Sequence, residues 1–259
     1  MKGNLLLTID IGNTETTIGV FDGEDLKATW YTATVIHRTA DEYAILLTSL
    51  LNNRNIKASD IKEVSLCSVV PPVTSIYEDM FKSNFDVSLL VVAAGIKTGV
   101  RICMDNPKEV GADRIVDAVA AHRLYGGPVI IVDFGTATTF DTVSARGDYL
   151  GGAIAPGMIT AAEAMSQETA MLPRIEMARP GRVIGTNTID AMKSGIVFGY
   201  VAMVEGMVAR IQRELGVRTK VVATGGYAGL IAGETKVIDE VKPDLTLIGL
   251  RLVYQMNRD

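Results

Sequence analysis

Apolar residues recur along this chain in short runs whose spacing switches between two and nearly four. Residues 5–10, 16–21 and 26–32 alternate as strands, the first pair joined through Asp10-Ile11-Gly12-Asn13-Thr14 and the second through Asp22-Gly23. Over 41–53 the period lengthens, with Tyr43, Ile45, Leu46, Leu47, Leu50 and Leu51 spaced for a helix. A buried strand at 64–69 is stopped by Pro71-Pro72, and a helix at 74–81 and a strand at 88–92 complete the first half.

The second half repeats that order. An Ala-rich helix at 113–124 precedes strands at 128–133, 138–143 and 149–155, then helices at 159–165 and 188–215. A strand at 220–223, the Gly-rich turn Thr224-Gly225-Gly226, a short strand at 236–238 and a terminal helix at 245–257 follow. The repetition reaches individual residues: each half opens with an apolar strand ending in Asp-x-Gly and a hydroxyl-rich turn, Asp10-Ile11-Gly12 in one and Asp133-Phe134-Gly135 in the other. A duplicated βββαβα unit resembles the actin, sugar-kinase and heat-shock ATPase superfamily. That resemblance implies an α/β fold of duplicated ribonuclease H-like (actin/hexokinase-type) domains, mixed sheets with flanking helices and an inter-domain cleft. The halves are expected at 1–112 and 113–259, the second carrying a dimerisation helix.

Composition narrows the setting. The 259 residues are 48% apolar and 21% charged, the balance of a globular protein with ample core. A net charge of -5 and the lack of a Lys/Arg stripe with interleaved aromatics argue against nucleic acid. Mean hydropathy of +0.25 raises the membrane question, but runs such as 87–95 and 128–132 are too short to span a bilayer, so no membrane partner is expected. Met1-Lys2-Gly3-Asn4 meets Asp10 too early for a secretory signal. The only cysteines, Cys67 and Cys103, sit among apolar residues and read as buried free thiols, which places the chain in a reducing cytoplasm.

Asp-x-Gly at a strand end suits phosphate chemistry. Glycine lets the backbone approach an anion, and Asn13, Thr14 and free N–H groups can bind phosphoryl oxygens. The aspartates would be repelled by those oxygens, so they must act through a cation or its water; Asp10 and Asp133 are therefore candidates for organising metal and nucleotide phosphates. A single Asp-x-Gly is often only a turn, whereas two in matching strand contexts point to function. No Walker A loop and no Gly-x-Gly-x-x-Gly is present.

Gly111-Ala112-Asp113-Arg114 opens a helix, where an aspartate can serve as a simple cap. Beside two phosphate loops, Asp113 is also the natural base for a substrate hydroxyl, and Arg114 can hold a carboxylate or stabilise transferred charge. His37 and His122 have no partner at metal-ligand spacing, and Met192, Met203 and Met207 read as core or dimer seam.

Asp10-Ile11-Gly12-Asn13-Thr14, Gly111-Ala112-Asp113-Arg114, Val132-Asp133-Phe134-Gly135-Thr136-Ala137-Thr138-Thr139 and Gly151-Gly152-Ala153-Ile154-Ala155-Pro156-Gly157 resemble, in that order, the motifs of type III pantothenate kinases. Gly185-Thr186-Asn187-Thr188 is also similar to the family pattern. The resemblance implies ATP-dependent phosphorylation of pantothenate, the first step of coenzyme A biosynthesis, by a homodimer. It implies that Asp10, Ile11, Gly12, Asn13, Thr14, Glu15, Thr16, Thr17 and, from the other half, Thr136 contact ATP. It further assigns pantothenate to Gly111, Ala112, Asp113, Arg114 and Thr188, with Asp113 as proton acceptor. Asp133 matches a monovalent-cation ligand for K+ or NH4+, and Mg2+ would accompany ATP. Glu15 stands where many members carry a neutral residue, and Met104 where some carry an aromatic. A kinase of another small alcohol would lack Gly-Ala-Asp-Arg. A non-catalytic nucleotide-binding regulator would be expected to carry an appended domain or to have lost one of the three aspartates.

Overall fold

A computed structural model describes residues 4–258; the N-terminal reading of Met1, Lys2 and Gly3 lies outside the described residues. The chain divides into two compact units that are discontinuous in sequence: residues 1–99, 106–120 and 246–259 form one, and residues 100–105 and 121–245 the other. In this division residues 113–120 and the last helix fall with the first unit, and residues 100–105 with the second.

The first unit contains a five-stranded sheet of β1 (Leu5–Ile11), β2 (Glu15–Asp22), β3 (Asp25–Ala33), β4 (Ile61–Ser68) and β5 (Ser88–Val91), in the order β3-β2-β1-β4-β5. The meander β1-β2-β3 is antiparallel, while β4 and β5 join in parallel through α1 (Ala40–Asn53) and α2 (Pro71–Asn84). Alternation sorts the faces. Leu7, Ile9 and Ile11 of β1, with Val64 and Leu66 of β4, share a core with Tyr43, Leu47 and Leu51 of α1 and Val73, Tyr77, Met80 and Phe81 of α2. Thr39 and Glu42 close a capping box at the start of α1. Helix α2 begins at Pro71 rather than at 74, since proline costs nothing at a first helical position, where the N–H has no partner in any case.

The opposite pleat carries Thr8, Ser65 and Gly19 toward α7 (Leu245–Asn257). Ser65 Oγ donates to the Leu250 carbonyl at 3.0 Å, and a Cβ on Gly19 would stand 2.8 Å from Leu247 Cδ1. Helix α3 (Ala112–Tyr125) packs so closely on α7 that a Cβ on Gly249 would lie 2.1 Å from the Val116 carbonyl oxygen.

The second unit repeats the topology with β6 (Val129–Phe134), β7 (Ala137–Val143), β8 (Tyr149–Pro156), β9 (Lys220–Gly225) and β10 (Glu240–Val241), in the order β10-β9-β6-β7-β8. Read from the outer meander strand inward, both sheets run third-second-first-fourth-fifth, with the same parallel and antiparallel joins. The duplication read in the sequence is therefore a duplication of fold. Helices α4 (Met158–Glu168), α5 (Thr188–Leu215) and α6 (Ala228–Ala232) belong to this unit. By length and hydropathy α5 could cross a membrane, which the survey of apolar runs passed over; its stripe Met192, Ile196, Val197, Val201, Val204 and Val208 is buried in protein instead. Met203 and Met207 pack partly buried on the same core.

Two local expectations are corrected. The fifth strand lies at Glu240–Val241, not 236–238: the Asp239 carboxylate accepts the Val221 N–H, while Val237 and Ile238 pack on the core from a loop, so their apolar character reports burial rather than pairing. Cys67 is a buried free thiol as expected, but Cys103 is free and exposed, because its segment runs along the sheet edge at Tyr149.

Candidate active site

Strand β1 ends at the turn that the sequence marks for phosphate. Gly12 N–H donates to the Glu15 carbonyl at 3.0 Å, closing the turn, and a Cβ at Gly12 would stand 2.9 Å from that same oxygen. Ile11 and Thr16 are buried on either side, which leaves Asn13, Thr14 and Glu15 as the exposed crest. Thr17 and Cys67 are the register partners of Asp10 on β2 and β4.

That register explains the chemistry around Asp10. Neighbouring parallel positions share a face, so the Cys67 thiol lies beside the aspartate and donates to Asp10 Oδ1 at 3.2 Å. Burial, and after it the charge of Asp113, pushes the Asp10 carboxyl up to about 7; the thiol hydrogen bond opposes this and Glu15 adds to it. Cys67 is itself raised well above the ordinary thiol range, first by burial and then by Asp10, Asp113 and Asp117, so it stays protonated and a donor. Partial burial also raises Glu15. A carboxylate so placed is stabilised as an anion by a cation brought beside it, which is what a metal-bound nucleotide supplies.

Asp113 enters the same environment from the first turn of α3. Its Oδ1 accepts the Arg114 N–H at 2.8 Å, and a Cβ on Gly111 would sit 2.3 Å from that oxygen. Glycine at 111 is therefore what lets the carboxylate fold back over the helix start. Asp117 follows one turn later on α3, buried. The first unit thus gathers Asp10, Glu15, Cys67, Asp113 and Asp117 into one electrostatically coupled group.

The second unit holds the matching turn. Gly135 N–H donates to the Ala137 carbonyl at 3.0 Å, and the Thr136 carbonyl accepts from Gly157 N–H at 3.1 Å and Thr160 Oγ at 2.8 Å. Asp133 lies against bare backbone: a Cβ at Gly225, where φ is +87°, would be 2.4 Å from Asp133 Oδ1, and one at Gly135 would be 3.4 Å from Oδ2. Thr188 begins α5, whose cap is the Asn187 side chain accepting the Asp190 N–H.

Among the described residues no group of three or more His, Cys, Asp or Glu is arranged to hold a metal. A groove of about 770 Å³ bounded by Asp41, Ile45, Thr48, Lys62, Phe85 and Asp86 contains none of the candidate residues. Sequence reading missed the roles of Cys67 and Asp117, since neither belongs to a motif. The alternation of β4 places Cys67 on the Asp10 face, and helical spacing places Asp117 one turn after Asp113, but only register joins them.

Comparison with known proteins identifies the family. Residues 6–210 match the family described as type III pantothenate kinase. A type III pantothenate kinase of Dehalococcoides mccartyi strain 195 is 58% identical over 253 residues, covering 98% of each chain. Among solved structures, a Baf family protein from Campylobacter jejuni superposes with a TM-score of 0.62 at 17% identity, covering 97% of this chain and 98% of that one. An Arthrobacter polyphosphate/ATP-glucomannokinase superposes at 0.52 and 11% identity, covering 99% and 100%, a likeness of fold alone. With the family profile matched across most of its length and a full-length relative above half identity, the chain belongs to the type III pantothenate kinase family.

Proposed function

We propose that Asp10, Asp113 and Asp133 divide the work of the family's reaction among them. The protein is a kinase that phosphorylates pantothenate with ATP to 4'-phosphopantothenate, opening coenzyme A biosynthesis. In this reading the primary hydroxyl of pantothenate attacks the γ-phosphorus of ATP, its proton passes to the Asp113 carboxylate, and ADP leaves. Arg114 holds the pantothenate carboxylate, a task its planar fork performs better than a lysine would. Gly111, Ala112 and Thr188 complete the acceptor site.

The β1–β2 turn, from Asp10 to Thr17, binds the ATP phosphates through its exposed crest of Asn13, Thr14 and Glu15, and Thr136 is a further phosphate contact. Mg2+ bound with ATP would supply charge neutralisation near Asp10, whose raised pKa in the ligand-free protein fits a carboxylate that awaits a cation. Asp133 would hold K+ or NH4+ with backbone oxygens, beside the peptides that Gly225 and Gly135 let come close to its carboxylate. A homodimer and a cytoplasmic location belong to the same reading. Exposed Leu150 and Ile154 on edge strand β8 favour the dimer.

The observation that carries the reading is the coupling of Asp10 to Asp113, a phosphate-turn carboxylate beside a helix-start carboxylate that can accept a proton. A coupled ADP-release assay with pantothenate and a panel of sugars, with and without K+, tests it. Turnover with pantothenate that depends on the monovalent cation is expected; turnover with a sugar alone would remove the proposed acceptor.

A further inference from the structure

Thr34, just past the end of β3, belongs to none of the motifs, yet it grips the phosphate turn at two points. Its N–H donates to the Thr14 carbonyl at 3.0 Å, and its hydroxyl donates to the Gly12 carbonyl at 2.8 Å. A threonine hydroxyl has one proton, here given to Gly12, so the Thr16 hydroxyl, 2.8 Å away, must be the donor to Thr34 Oγ1. Thr16 is fully buried, and its carbonyl in turn accepts the Thr32 hydroxyl at 3.4 Å. Hydroxyl hydrogen bonds thus run from the interior of the β2–β3 ladder to the peptide between Gly12 and Asn13.

The direction of that peptide follows. It is trans, so its C=O and N–H point opposite ways. Drawing the Gly12 carbonyl toward β3 turns the Asn13 N–H toward the exposed side of the turn, where Asn13 and Thr14 meet solvent. An N–H left unconstrained would have to be oriented by the ligand at an entropic cost; one held in advance is preorganised.

We propose that Thr34 is a positioning residue for the nucleotide: by clamping the Gly12 and Thr14 carbonyls it aims the Asn13 amide at a phosphate oxygen. This rests on the reading that the turn binds ATP phosphates. The hydrogen bonds of Thr34 go to the turn and to Thr16, so its influence falls on nucleotide affinity and spares the acceptor.

The test uses the full-length enzyme and the isosteric Thr34→Val, with Thr34→Ser restoring the hydroxyl. Equilibrium titration with a non-hydrolysable ATP analogue and Mg2+ should show Thr34→Val weakened by roughly 10-fold, the scale of one lost hydrogen bond. KM for pantothenate should stay within about twofold, and Thr34→Ser should recover most of the loss. Wild-type nucleotide affinity in Thr34→Val, or a Thr34→Ser as weak as Thr34→Val, would overturn the clamp. So would a fall in Tm with both affinities unmoved, since that is the mark of a purely structural residue. Should Thr34→Val not fold, Thr16→Val breaks the relay one link earlier and is read by the same criteria. Gly12→Ala separates the two levels. If it binds nucleotide normally, the phosphate reading of the turn has failed; if it weakens binding while Thr34→Val does not, only the clamp has.

Discussion

Replacing Asp10 with Asn should stabilise the ligand-free protein while abolishing its activity. The Asp10 carboxyl is raised from 3.8 to about 7, chiefly by burial and then by Asp113. Between those values the native state keeps a proton that the unfolded chain has already released. The contribution of Asp10 to wild-type stability is therefore fully present below about pH 4 and is lost as pH rises to about 7. At about 1.4 kcal/mol for each pH unit the whole window is worth about 4 kcal/mol, of which about 3 falls between pH 5 and 8. Asp10 keeps some exposed surface, so screening reduces this to roughly 2 kcal/mol. Asn preserves the shape and an oxygen for the Cys67 thiol but has no proton to lose. Urea unfolding of both proteins at several pH values, without nucleotide or Mg2+, should show the Asn variant gaining on wild type from pH 5 to about 7 and levelling off above it. The histidines titrate in both proteins and cancel in the difference. A difference that stays flat with pH, or an Asn variant that loses ground as pH rises, would refute the reasoning. Turnover should be lost in the same variant, so the strain at Asp10 serves function rather than folding.

Other outcomes follow from neighbouring groups. Asp113→Asn should bind the ATP analogue like wild type and lose turnover by at least about 100-fold, as expected for a missing general base; most activity retained would remove Asp113 from that role. Asp133→Asn should flatten the response of rate to added K+ or NH4+, and an unchanged salt titration would argue against a cation there. Gly225→Ala forces a Cβ to 2.4 Å from Asp133 Oδ1 at a φ of +87°, so a loss of about 2 kcal/mol or more is expected by thermal unfolding. Tyr149→Phe removes the buried hydroxyl that donates to Asp141 Oδ1 at 2.5 Å and should cost about 1–3 kcal/mol in urea unfolding, with KM for ATP unchanged.

Much of the fold was legible because its signals are local. Helices α5 and α7 lie where the helical period places them, and in the structure α5 runs from the Asn187 cap to a left-handed Gly216. The two Asp-x-Gly strands announced a duplication that the sheets repeat strand for strand. The strand placed at 236–238 went astray because apolar residues report burial and not a pairing partner, and Cys103 because its segment runs along a sheet edge and leaves the thiol exposed.

Residue type and spacing were enough to nominate Asp10, Asp113 and Asp133, because the need for glycine beside a carboxylate is written into the motif itself. What surrounds those residues was decided by register. Cys67 lies 57 positions from Asp10 and Thr34 lies 22 from Gly12; their hydrogen bonds exist because β4 pairs with β1 in one alignment and β3 returns beside β2. A shift of one residue would send each side chain to the opposite face. The sequence alone thus nominated the groups proposed for the chemistry, and the tertiary structure decided how they are held and charged, since burial and long-range hydrogen bonds arise only when distant strands meet.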